Sequence, residues 1–243
     1  MTVHPFQIAV LVVGALVAST LAAVTGFGGA AVLLPILVWI FGLREAVPIL
    51  TVAQLIGNGS RVWFNRKLID HRVVFWFALG GVPLALAGGF LFAKAPLSAL
   101  TRLLGFFLIA VVVLRHWKRV RWPRPSLRQF ALIGAVSSFL SALLGSVGPL
   151  MAPFFLAYGL VKGAYIGTEA LATVMMHIPK LIAYRRSDLL QEHAVLVGLL
   201  LGPIMIFGSF MGKRIVDALP EKVFIAVIDV TLVIAGILFA VRG

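Results

Sequence analysis

An all-α fold of many membrane-crossing helices is what this sequence predicts, and three observations predict it. The chain is 61% hydrophobic and only 12% charged, whereas soluble domains carry about a quarter charged residues. Apolar runs of near-spanning length recur along it: Phe6–Val24, Val73–Phe92, Leu97–Leu114, Phe130–Leu144, Ala194–Met211 and Phe224–Val241. A helix needs roughly 20 apolar residues to cross the hydrocarbon, and bare backbone cannot sit in lipid, so these runs must be helices. Third, the chain states one pattern twice. Gly26-Phe27-Gly28-Gly29, Pro35, Gly42-Leu43 and Thr51 are answered by Gly145-Ser146-Val147-Gly148, Pro153, Gly159-Leu160 and Thr168. The offsets, 119 at the first glycine and 117 at the threonine, keep the halves in register. Gly81-Val82-Pro83 with Gly88 likewise matches Leu201-Gly202-Pro203 with Gly208.

Each half then divides into about five helical pieces. The first half gives Phe6–Thr25, Ala30–Phe41, Glu45–Trp63, Val73–Phe92 and Leu97–His116. The second gives Leu127–Leu144, Leu150–Tyr158, Gly163–Tyr184, His193–Met211 and Pro220–Val241. The expected organisation is a first membrane repeat over 1–118, a basic interfacial linker over 119–128 and a second membrane repeat over 129–243. The first apolar run lacks a basic leader and continues into a duplicated motif, so it reads as part of the fold and not as a signal peptide.

The second piece of each half is too short to cross fully at about 1.5 Å of rise per residue. It follows a glycine-rich break and contains a proline, Pro35 or Pro153. A break at membrane depth is tolerated where it lines a cavity or packs against protein. The half-helix beginning there presents unpaired N–H groups and a partial positive charge, suited to an anion. The alternative is that these glycines serve only close helix packing. A duplicated, glycine-broken apolar unit is a usual build of secondary transporters, with the substrate between the repeats.

The net charge of +13 resides in short loops, as topogenic charge does. Arg61, Arg66, Lys67 and Arg72 form one cluster, and Arg115, Lys118, Arg119, Arg121, Arg124 and Arg128 another. No basic stripe suggests nucleic-acid binding. Zero cysteines exclude disulfides, thiol catalysis and iron–sulfur clusters. The reading calls for no metal and no cofactor; a redox subunit would need paired axial histidines, and His177 has no partner at comparable depth. Whether the repeats are parallel or inverted, and whether the protein is a monomer or a homodimer, the sequence leaves open.

Polar groups at membrane depth cost at least a few kcal/mol unless paired or wetted, so each is a functional candidate. They concentrate on the third piece of the second half: Thr168, Glu169, Thr173, His177, Lys180 and Tyr184. Steps of three and four place most of them on one helix face. The matching piece of the first half carries Thr51, Gln54, Asn58, Arg61 and Asn65. Together with Gly28, Gly29 and Gly148, these define the candidate site for a small anion, with Lys180 or Arg61 as the cation. Glu169 and Asp229 are the proton-coupling candidates, and His177 could also serve. Other readings stand beside these: an ion pair of Glu169 with His177 or Lys180, an Arg61 that snorkels to the interface, and Gln54 and Asn58 as interhelical glue. An intramembrane hydrolase using Ser146 and His177 is the alternative from another class, although Leu144 stands where the nucleophile-elbow pattern needs a glycine.

The Gly26–Pro35 break, the Gly42–Thr51 stretch and Pro179-Lys180-Leu181-Ile182-Ala183-Tyr184 resemble the TauE/SafE family of sulfite and organosulfonate exporters, over essentially the whole chain. That resemblance implies a multi-pass permease of the bacterial inner membrane, moving small anions such as sulfite, sulfoacetate or related sulfonates. Two departures stand out: His177, where the family often has a small polar residue, and Pro149, where the first half has Ala30.

Overall fold

Helix is the only regular structure among the described residues, which in this computed structural model are 4–27, 29–96, 100, 124–145, 147–224 and 226–227. In chain order the helices are α1 (Pro5–Thr25), α2 (Gly29–Phe41), α3 (Leu43–Asn65), α4 (His71–Lys94), α5 (Gln129–Leu144), α6 (Gly148–Tyr158), α7 (Lys162–Arg186), α8 (Glu192–Leu200) and α9 (Gly202–Ala218). The expected pieces Leu97–His116 and Pro220–Val241 lie largely outside the described residues, as do the first half of the linker, Gly28, Ser146 and Asp229.

Among the described residues three stretches are long and apolar enough to span a membrane: Pro5–Thr25, His71–Lys94 and Glu192–Ala218. They carry the outward-facing hydrophobics, among them Phe6, Val13, Phe75, Leu79, Leu200 and Phe207. Large apolar side chains left open in this quantity mark a surface meant for lipid. The expected single piece His193–Met211 is corrected. It divides at Leu201 into α8 and α9, and α9 runs on to Ala218. Pro203, in the first turn of α9, supplies the reason: it has no N–H for the preceding turn, and its ring crowds the carbonyl four residues back.

The interior belongs to α3 and α7, which pack against each other. Both are long enough to span but polar along one side. Thr51, Asn58, Arg61 and Asn65 of α3 are buried, as are Thr168, Glu169, Thr173, His177 and Lys180 of α7. Around them the packing is crossed. α4 of the first half lies against α5 of the second, and α9 of the second lies against α1 of the first. Backbones approach closely at these crossings: a Cβ on Gly80 would sit 2.0 Å from the Ala131 carbonyl oxygen, and one on Gly134 2.1 Å from that of Phe77. Small residues at such contacts are how membrane helices pack without a hydrophobic drive between them.

Two apolar clusters flank the polar centre. Leu33, Leu37, Ile49 and Leu50 head one, on α2 and α3. Phe77, Phe130, Phe155 and Tyr165 head the other, where α4, α5, α6 and α7 meet.

Candidate functional site: a polar cavity between two helix breaks

α1 ends at Gly26, whose φ of 80° only glycine adopts readily; its N–H bonds back to the Ala22 carbonyl. The chain turns through Phe27 and restarts as α2 at Gly29. α5 ends the same way at Gly145, also with φ 80° and its N–H on the Ser141 carbonyl, and α6 starts at Gly148. The two turns touch: a Cβ on Gly148 would lie 2.6 Å from that of Phe27. Gly26, Phe27, Gly29, Gly145, Val147 and Gly148 therefore border one cavity. Both short helices open onto it with their N-termini, the positive ends of their dipoles; at α6 the amide on offer is that of Gly148, since Pro149 has no N–H and those of Leu150 and Met151 bond to the Val147 carbonyl. At 13 and 11 residues, α2 and α6 rise only about 20 Å and 16 Å, against a hydrocarbon core of about 30 Å.

The remaining wall comes from α3, α7, α5, α1 and α9: Gln54, Asn58 and Arg61, then Glu169, Thr173 and His177, with Ser141, Ser19 and Ser209. The space open at the centre is about 40 Å³, room for roughly three waters. A small oxyanion is in scale with it.

Arg61 organises one side. Its Nη1 donates to the carbonyl oxygens of Ala22 at 3.0 Å and Gly26 at 2.9 Å, and to Glu169 Oε2 at 3.3 Å. Its Nη2 donates to Asn58 Oδ1. A cation against the last carbonyls of α1 also sits at the negative end of that helix. Glu169 is held from its other oxygen by the Thr173 hydroxyl, at 2.9 Å. Two sequence expectations are corrected here. Arg61 does not snorkel, being only 5% exposed, because α1 and Glu169 offer it acceptors in the interior. The ion-pair partner of Glu169 is Arg61, and neither His177 nor Lys180.

Other site candidates divide by depth. Gln54, Asn58, Gly29, Gly148 and His177 border the cavity; Lys180, Thr51, Thr168 and Tyr184 do not. Lys180 is fully buried, with Nζ 3.1 Å from Ser141 Oγ, so it reaches the wall through that hydroxyl. The Tyr184 hydroxyl donates to the Ala142 carbonyl oxygen at 2.8 Å. Thr51 donates to the Val47 carbonyl within its own helix, and Thr168 accepts the Asp70 N–H. Sequence reasoning passed over Ser19, Gly57, Met176, Met205 and Ser209, all on the wall. Stepping back from Gly26 in threes and fours reaches Ala22 and Ser19, and that period could have found Ser19.

Two buried wall residues are unsatisfied. The Asn58 Nδ2 donor and both ring nitrogens of His177 lack a hydrogen-bond partner, although Asn58 and His177 are each only 2% exposed. Buried polar groups in native structures are nearly always paired, so an orphan calls for an explanation. No group of His, Asp or Glu among the described residues could hold a metal ion.

Fold and site together define a polytopic helical membrane protein with a small polar cavity at its centre, a form suited to carrying a solute. The chain belongs to the sulfite exporter TauE/SafE family, whose model matches residues 10–239. No curated protein and no solved structure gave a significant match. Membership makes the chain an anion permease and not an enzyme. The hydrolase alternative built on Ser146 and His177 finds no support.

Proposed function

We propose that the protein moves small oxyanions, sulfite and related sulfur-containing anions such as sulfoacetate, across the bacterial inner membrane by alternating access at the cavity between Gly29 and Gly148. One observation carries this reading: two half-helix N-termini and two unpartnered buried groups, Asn58 Nδ2 and His177, converge on one small space. What such a set of donors lacks is an acceptor. An oxyanion supplies several, and amides at helix N-termini bind anions without a bulky cation. Gln54, Asn58, Arg61, His177, Gly29 and Gly148 are the direct contacts in this reading. Gly28, which lies outside the described residues, stays in this reading as a further candidate from the sequence.

The halves act as two related repeats, 1–118 and 129–243, joined by the linker 119–128. The similar breaks at Gly26 and Gly145 support this, as does the crossed packing of α4 on α5 and of α9 on α1. Lys180 stands behind Ser141 as a second cation, and Thr51, Thr168 and Tyr184 hold the frame around it. Glu169 and Asp229 are the groups through which protons would couple to the movement.

Sulfite efflux from loaded proteoliposomes tests the reading. Asn58→Asp replaces a donor with a carboxylate facing the anion, and efflux should fall at least about tenfold, since like-charge repulsion in a buried site exceeds 1.4 kcal/mol. Efflux unchanged in Asn58→Asp and in His177→Ala would remove the cavity as the binding site.

A further inference from the structure

Glu169 is a carboxylate on the wall of a cavity that, on the reading above, receives anions. Arg61 is the charged side chain that faces it, at 3.3 Å, and both residues border the cavity. Helices α1, α2 and α5, which also supply wall, carry no charged side chain. The charged residues of α9 (Lys213, Arg214 and Asp217) lie toward its far end, Lys213 pairing with Asp217. On α7 itself, Tyr165 has a buried hydroxyl with no partner, His177 is likewise unpaired, and Lys180 is turned to Ser141. The titratable surroundings of Glu169 are therefore Arg61 first, then Tyr165, His177 and Lys180.

An anion brought beside an intact Arg61–Glu169 pair would place two negative charges near one guanidinium in a space of about 40 Å³. Like charges so close in a low dielectric repel strongly. Leaving Glu169 charged but unpaired in the interior is also costly. One exchange avoids both costs.

We propose that Glu169 is the resident anion of the cavity: the transported anion takes its place at Arg61, and Glu169 leaves that position as a neutral carboxylic acid, so that one proton is taken up with each anion bound. The bond formed is an O–H on Glu169. The proton comes from solvent hydronium, which passes it along the water entering with the anion and is left as water, or from the acid form of the anion, whose own bond to hydrogen breaks as it becomes the bound base. Arg61 keeps its anchors on the Ala22 and Gly26 carbonyls throughout. The Thr173 hydroxyl stays with Glu169 and can accept from the new O–H as readily as it now donates to Oε1. Release on the other side reverses the exchange. The proton leaves, and the carboxylate returns to Arg61.

This inference rests on the anion-transport reading, and the experiment separates the two. Purified protein is titrated with sulfite while the infrared difference spectrum and the affinity are followed from acid to alkaline pH. Because binding takes up a proton at Glu169, wild-type affinity should fall about tenfold per pH unit once Glu169 is ionised, beyond the change due to titration of sulfite itself. Glu169→Gln lacks that extra dependence and binds at least tenfold more tightly than wild type at alkaline pH. Sulfite should also raise the carbonyl band of a neutral carboxylic acid in wild type, a band absent from Glu169→Gln and displaced in Glu169→Asp. Should Glu169→Gln fail to fold, the wild-type band and its displacement in Glu169→Asp decide. Sulfite binding without the band overturns the exchange and leaves the anion site standing. No sulfite binding at all overturns both.

Discussion

The two helix breaks share a backbone but not a chemistry. Each first helix of a half ends at a glycine with φ 80°, and each break has a cation from α3 or α7 in the last turn before it. Arg61 bonds to the Ala22 carbonyl and Lys180 to the Ser141 hydroxyl, and Ala22 and Ser141 are 119 residues apart, as are Gly26 and Gly145. Beyond that the breaks diverge. The first cation is a guanidinium shared among two carbonyls, an amide and a carboxylate. The second is an ammonium with one hydroxyl and, among the described residues, no carboxylate. A planar fork can hold several acceptors in fixed positions, whereas an ammonium acts as a point charge. The first break thus holds an ion pair and the second, among the described residues, holds none, so two similar frames give a cavity with unlike sides.

Removing the two cations should separate the breaks most widely. Arg61→Ala leaves the Glu169 carboxylate unpaired in the interior, and loss of one member of a buried pair costs about 3–5 kcal/mol. Thermal unfolding in detergent should show a large drop. Lys180→Ala leaves only the Ser141 hydroxyl without its donor, and the expected loss is smaller, about 1.5–3 kcal/mol. Equal losses would mean that Glu169 does not depend on Arg61.

A gentler separation comes from the glycines. Gly26→Ala and Gly145→Ala each force a left-handed conformation, at a cost of about 1–2 kcal/mol. The new methyl at 26 would also lie 2.4 Å from Tyr165 Cε1, inside a packed ring, while at 145 the nearest atom is Leu34 Cδ2 at 3.3 Å, the movable end of a side chain. Gly26→Ala should therefore be the less stable variant in the same unfolding assay, and a reversed order would show that the two turns are not packed as described. The smallest effect belongs to Tyr184→Phe, beyond the second break. It removes one hydrogen bond, to the Ala142 carbonyl, and should cost about 1 kcal/mol while leaving sulfite efflux near wild type.

Much of this was legible in the sequence because it rests on local periodicity. Gly26 and Gly145 stand where α1 and α5 end, and steps of three and four follow the buried polar residues of α3 and α7. What stayed hidden depends on depth and on partners distant in the chain. Lys180 shares a face with Glu169 but lies 11 residues on, about 16 Å along the axis. That carries it off the cavity wall, to which it connects only through Ser141. Thr168 adjoins Glu169 in the chain, yet one residue turns it by about 100°, toward the Asp70 N–H. The Arg61–Glu169 pair spans 108 residues, and no local pattern encodes which charge of one helix meets which of another. The division at Leu201 was written in Gly202-Pro203, but the alignment with Gly81-Val82-Pro83 obscured it, since α4 runs through Pro83 unbroken.

The most direct test of the account is where an anion comes to rest. Selenite, the selenium counterpart of sulfite, can be located by its anomalous scattering in crystals of the protein. The account predicts one strong peak in the cavity between the two breaks, within reach of Arg61, Asn58 Nδ2, His177 and the Gly148 amide. A peak only at the exposed basic loops, with the space between the two breaks empty at saturating selenite, would contradict it.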